Sequence, residues 1–122
     1  MMHKVSVQNR EVTTTVVNTI PQLDKSLRKL PITSKPPGLK YVVGIDIEKH
    51  YTRGIGDNQV AEKVAIVKLC FGNSCLIIQL LHMKEPPCSL AKFLQLQELS
   101  FVSVGIKRCV EALNRDYGIN MY

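Results

Sequence analysis

Short apolar runs punctuate the chain, each with the length of a strand or the spacing of a helix. Val12-Thr13-Thr14-Thr15-Val16-Val17 is β-branched throughout and reads as a strand. Asp24 to Leu30 has helical spacing, with Leu23, Leu27 and Leu30 on one side. Lys35-Pro36-Pro37-Gly38 breaks the chain and marks a linker. Tyr41–Glu48 follows as a strand, and a polar loop, Tyr51–Asn58, comes after it. Val64–Phe71 and Cys75–Leu80 are two further strands joined through Gly72-Asn73-Ser74, a tight hairpin signal.

The pattern then turns helical. Pro86-Pro87 precedes Ser89, which reads as an N-cap for a helix carrying Leu90, Phe93 and Leu94 on one face. Phe101-Val102-Ser103-Val104 is another short strand. Beyond Gly105, Ile106, Cys109, Val110, Leu113 and Tyr117 repeat at helical spacing, with Gly118 placed to end the helix. Hairpin-linked strands followed by a helical crossover predict an α/β fold, a mixed sheet with helices packed on it.

Bulk properties narrow the classes. The 122 residues suffice for one domain, and no apolar run reaches the ~20 residues that span a bilayer, so no membrane partner is expected. The N-terminal residues have no apolar core of a secretory signal, which predicts an intracellular protein of nucleus or cytoplasm. Four cysteines, Cys70, Cys75, Cys88 and Cys109, match no zinc spacing and read as reduced thiols. The net charge of +6 is concentrated in residues 1–40, where seven Lys and Arg face two acids. Such an arm suits either phosphate contacts or a solubilising face.

The candidate chemistry lies in Tyr41–Glu48. Asp46 and Glu48 are two apart on a strand, so both carboxylates project from one face. Close like charges favour a cation between them, and oxygen donors favour a hard one, Mg²⁺ or Mn²⁺. A solvated strand end is the plain alternative. His50, Lys49, Arg53 and His82 read as loop residues, and Lys25, Arg28 and Lys29 as the polar face of a helix.

Val43-Gly44-Ile45-Asp46-Ile47-Glu48 resembles the first motif of the DEDD-type 3′–5′ exonucleases. Phe101–Ile106, with Leu113 and Asp116-Tyr117-Gly118-Ile119, resembles their second motif region. Within that group the chain looks most like the plant Werner syndrome-like exonucleases, in which strands resembling Val64–Cys70 and Cys75–Leu81, with His82, and an Asp-Tyr-Gly ending recur in this order. The resemblance implies a ribonuclease H-like mixed sheet with flanking helices. It also implies hydrolysis of nucleic-acid phosphodiesters by two Mg²⁺ or Mn²⁺ ions held on four carboxylates. Asp46 and Glu48 fall on the catalytic and metal-binding positions of the first motif.

The departures from the family pattern are specific. The second-motif Asp position is Cys109, a soft thiol poorly suited to Mg²⁺. Glu111, two residues on, lies about 200° further around the helix and cannot take its place. Only four residues follow Gly118, whereas a further strand and helix need about 15–20. The resulting expectation is a C-terminally truncated domain lacking the final strand and helix. Residues 1–38 would form an N-terminal strand, short helix and Pro-rich linker, and 39–122 the partial exonuclease domain. Two functions follow: an exonuclease impaired by the loss of two carboxylates, or an inactive module that binds nucleic acid or a protein partner. Self-association through the incomplete sheet is part of the second.

Overall fold

The computed structural model describes residues 2–7, 10–29, 41–53, 60–96 and 99–121. Among the described residues, six strands, β1 (Met2–Val7), β2 (Arg10–Val17), β3 (Tyr41–Arg53), β4 (Val60–Phe71), β5 (Ser74–Gln79) and β6 (Leu99–Val102), form one sheet in the order β1-β2-β5-β4-β3-β6. β3, β4 and β5 make an antiparallel meander, and β1 pairs antiparallel with β2. β2 lies parallel to β5, and β6 parallel to β3. The sheet is mixed, and helices pack on it, as the residue pattern predicts.

Alternation along the strands decides which face is buried. Val43 and Ile45 of β3, Val67 and Leu69 of β4, and Leu76 and Ile78 of β5 point to one side. There they meet Leu23 of α1 (Ile20–Lys29), Leu90, Phe93 and Leu94 of α2 (Cys88–Leu94), and Ala112 and Leu113 of α3 (Ile106–Tyr117). Val17 of β2 belongs to the same core, so the N-terminal strand and helix share their hydrophobic interior with the later elements. The residues facing the other way, including Gly44, Asp46, Glu48, Lys68, Cys70 and Cys75, are half-buried or exposed.

Several elements differ from the sequence reading, each for a local reason. α1 begins at Ile20 because Thr19 Oγ1 accepts the Gln22 N–H (3.3 Å) while Gln22 Oε1 accepts the Asn18 N–H (3.1 Å). This reciprocal cap starts the helix four residues before Asp24. Ser89 does not cap α2; Pro87 holds that position, and the Ser89 hydroxyl donates to Asp24 Oδ1, tying α2 to α1. β6 starts two residues before Phe101 because Leu99 is the position it buries, while Val104 is fully exposed in the turn before α3. His82 closes a single 3₁₀ turn, Leu80–His82. β1 was not anticipated, and the linker at Lys35–Gly38 lies outside the described residues.

β3 also runs past Glu48 to Arg53, converting the start of the expected loop into strand; residues 54–58 of that loop lie outside the described residues. A β-bulge makes the extension possible. Glu48 faces Ile66 but Lys49 faces Val64, so Ala65 is the extra residue on β4. α3 ends as expected at Gly118, whose φ of 65° is accessible to glycine at little cost. Gly118 N–H bonds Asn114 O (2.9 Å), and Ile119 N–H reaches back to Leu113 O (3.3 Å) as the Ile119 side chain enters the core.

Candidate metal and nucleic-acid site

Asp46 and Glu48 project from the open face of β3, where neither is covered by a helix side chain of the core. Asp46 sits in a shallow cleft of about 430 Å³ whose walls are Gly44, Lys68, Cys70 and the Val102–Val104 segment. β6 pairs with β3 only as far as Gly44, so beyond it that edge has no strand partner among the described residues. Asp46 Oδ1 accepts the Ile47 N–H there (2.9 Å). This bond fixes the carboxylate at the cleft, while Oδ2 has no partner among the described residues.

The sequence reading missed Lys68. It stands directly across the ladder from Asp46, and its Nζ lies 3.2 Å from Glu48 Oε1. Lys68 is the only charged residue in the run Val64–Phe71, and hairpin alternation puts it on the Asp46 face. That isolated charge was the available signal. The ammonium already offsets part of the charge of the carboxylate pair.

Lys49, by contrast, points to the helix-covered side, where its Nζ pairs with Glu62 Oε1 at 3.2 Å. His50 and His82 are exposed, and the Arg53 side chain lies outside the described residues.

Cys109 is buried at 3% exposure near the start of α3. Its Sγ lies 3.7 Å from the hydroxyl of Ser103, which also lines the Asp46 cleft. Cys109 is therefore one side chain removed from the cleft. Among the described residues no three His, Cys, Asp or Glu groups converge to hold a metal. The donor set of Asp46 and Glu48 suits one hydrated hard cation, which keeps most of its water and takes one or two carboxylates. It does not suit a pair of closely spaced ions, which needs more carboxylates between them.

Asp116 and Tyr117, in the Asp-Tyr-Gly ending of α3, grip the bulge beside Glu48. Asp116 Oδ2 accepts the Val64 N–H (2.8 Å), and the Tyr117 hydroxyl donates to Val64 O (2.5 Å). Both backbone groups of buried Val64 are thus satisfied where the bulge disrupts the ladder. Arg115 forks onto both Asp116 oxygens (2.8 and 3.1 Å) and also reaches Glu62 (3.0 Å). The Arg115 pairing, helped by the Val64 N–H, holds the Asp116 carboxyl below its ordinary pKa. Lys49 and then Arg115 do the same for Glu62, and burial raises the Tyr117 phenol.

No protein-family model and no curated protein matches the sequence. Solved structures do match the fold. The EXD2 exonuclease domain soaked in Mn aligns with a TM-score of 0.67 at 19% identity, over 88% of this chain and 53% of that one. The Aedes aegypti Nibbler EXO domain gives 0.66 at 14% identity, over 98% and 51%. Trypanosoma brucei RNase D, solved with the RNA U12, gives 0.63 at 19% identity, over 87% and 34%. The chain spans about half the length of the first two and about a third of the last. It has the α/β fold of these exonuclease domains. Among the described residues, no helix is long and apolar enough to cross a membrane.

Proposed function

We propose that this domain binds the phosphodiester backbone of nucleic acid at the Asp46 cleft, through one divalent cation held by Asp46 and Glu48, and that its 3′–5′ exonuclease activity is impaired. The observation that carries the reading is the placement of both carboxylates on the open face, with Lys68 across the ladder from Asp46 and in an ion pair with Glu48. The fold shared with exonuclease domains supports it, and the first-motif likeness to DEDD-type enzymes, the plant Werner syndrome-like group in particular, agrees with it.

Asp46 and Glu48 would hold Mg²⁺ or Mn²⁺. The bound ion supplies positive charge against the phosphate and polarises its P–O bonds. Asp46 is preset for this, because Ile47 N–H already orients one oxygen and leaves the other available. Lys68, whose Nζ lies 3.2 Å from Glu48 Oε1, would offer an incoming phosphate a second positive charge beside that ion. Hydrolysis in the two-ion manner needs further carboxylates, and Cys109 supplies none.

End-labelled single-stranded DNA and RNA, with Mn²⁺ or with EDTA, test the reading beside Asp46→Ala. The reading requires Mn²⁺-dependent binding that the substitution abolishes, with little or no shortening of the label. Rapid stepwise shortening lost in Asp46→Ala would show a fully competent exonuclease instead. Binding unaffected by EDTA and by the substitution would place recognition elsewhere.

A further inference from the structure

Cys70 and Cys75 face each other directly across the β4–β5 hairpin. Phe71 and Ser74 flank the two-residue turn Gly72-Asn73, with Gly72 at φ 58°. The pair next to such a turn exchanges both ladder hydrogen bonds, so Cys70 and Cys75 occupy the following, non-hydrogen-bonded pair. Their Cα atoms are then about 4.5 Å apart with side chains converging, inside the range of about 4.4–6.8 Å that a disulfide spans. Both thiols lie on the open face and both are half-buried, unlike Cys109, which is enclosed. Cys88, the exposed thiol, is on α2, away from this face.

We propose that Cys70 and Cys75 form a reversible dithiol–disulfide site. A small-molecule disulfide such as oxidised glutathione is the oxidant. The Cys75 thiolate attacks one glutathione sulfur, forming a mixed disulfide and expelling one glutathione thiolate. Cys70 then gives up its proton and attacks the Cys75 sulfur, releasing the second glutathione. Two protein thiols are oxidised by two electrons, and one glutathione disulfide becomes two thiols. The order follows from the environment of Cys70. Burial, together with the adjacent Cys75 thiol, pushes Cys70 up to about 12, so it is the poorer initial nucleophile. Cys70 also lines the Asp46 cleft, so oxidation changes the polarity of that wall.

Trypsin cuts after Lys68 and Lys84, which places both cysteines in one peptide, while Cys88 and Cys109 fall in two others. The folded protein is exposed to oxidised glutathione, alkylated without reduction, digested and mapped by mass. The site predicts that the four free thiols fall to two, with peptide 69–84 lighter by two hydrogens and unalkylated. Dithiothreitol restores all four. Cys70→Ser should trap the glutathione adduct at Cys75, whereas Cys75→Ser should leave Cys70 reduced. Two alkylated cysteines in peptide 69–84 of the oxidised wild type, or a disulfide linking it to Cys88, overturn the proposal. The wild-type map decides this even if a serine variant folds poorly.

Discussion

Lys68 stands directly opposite Asp46 across the β3–β4 ladder, on the face of the sheet that, among the described residues, no core helix covers. From that position its ammonium reaches Glu48, so a single strand pair brings two carboxylates and one cation together. The arrangement makes Lys68 a competitor for any metal ion that the carboxylates hold.

Replacing Lys68 by Gln should therefore tighten Mn²⁺ binding. Two unit charges about 4 Å apart in water interact by about 1 kcal/mol, equivalent to an about fivefold change in affinity. Electron paramagnetic resonance of free Mn²⁺ measures it. Unchanged affinity would mean that Lys68 and the ion do not share Glu48. The same substitution should weaken nucleic-acid binding, since it removes a phosphate partner.

Asp116→Ala should destabilise the domain by about 1–3 kcal/mol, because the N–H of buried Val64 loses its acceptor. Asp116→Asn keeps an acceptor oxygen and should lose less. Urea unfolding followed by circular dichroism gives both values. If Asp116→Ala is neutral, the bulge does not depend on α3.

The same carboxylate makes stability depend on acid. Asp116 and Glu62 have folded pKa values below their unfolded ones. Their contribution is fully present above the unfolded carboxylate values of about 4. It is lost as pH falls through the lower folded values. Unfolding midpoints between pH 7 and pH 3 should fall more steeply in wild type than in Asp116→Asn, and parallel curves would contradict the assignment.

Cys109→Asp tests whether position 109 reaches the cleft. A carboxylate at this buried site should lower stability without metal, by about 1–3 kcal/mol or more. Mn²⁺ should then raise the melting temperature of the variant more than that of wild type. An equal response in both proteins would show that position 109 does not reach the ion.

Much of this was legible in the sequence because the signals were periodic. The Val64–Phe71 and Cys75–Leu80 runs with their tight turn, the Tyr41–Glu48 run and the α3 stripe each carry a local signal over several residues, and each was placed in the right element. The parity of Asp46 and Glu48 also followed from the strand alone. What escaped was carried by pairing. The β3 extension beyond Glu48 depends on the Ala65 bulge, which is set by Asp116 and Tyr117 from far along the chain. Ser89 was spent on Asp24 of another helix rather than on its own cap. Lys68 gained its role only once the register fixed it opposite Asp46.

The most direct test of the account is the stoichiometry of Mn²⁺ binding in the presence of a mononucleotide, by isothermal titration calorimetry. The account predicts one ion per chain in wild type, lost in both Asp46→Asn and Glu48→Gln while the fold persists. Two ions per chain, or one ion that survives both substitutions, would contradict it.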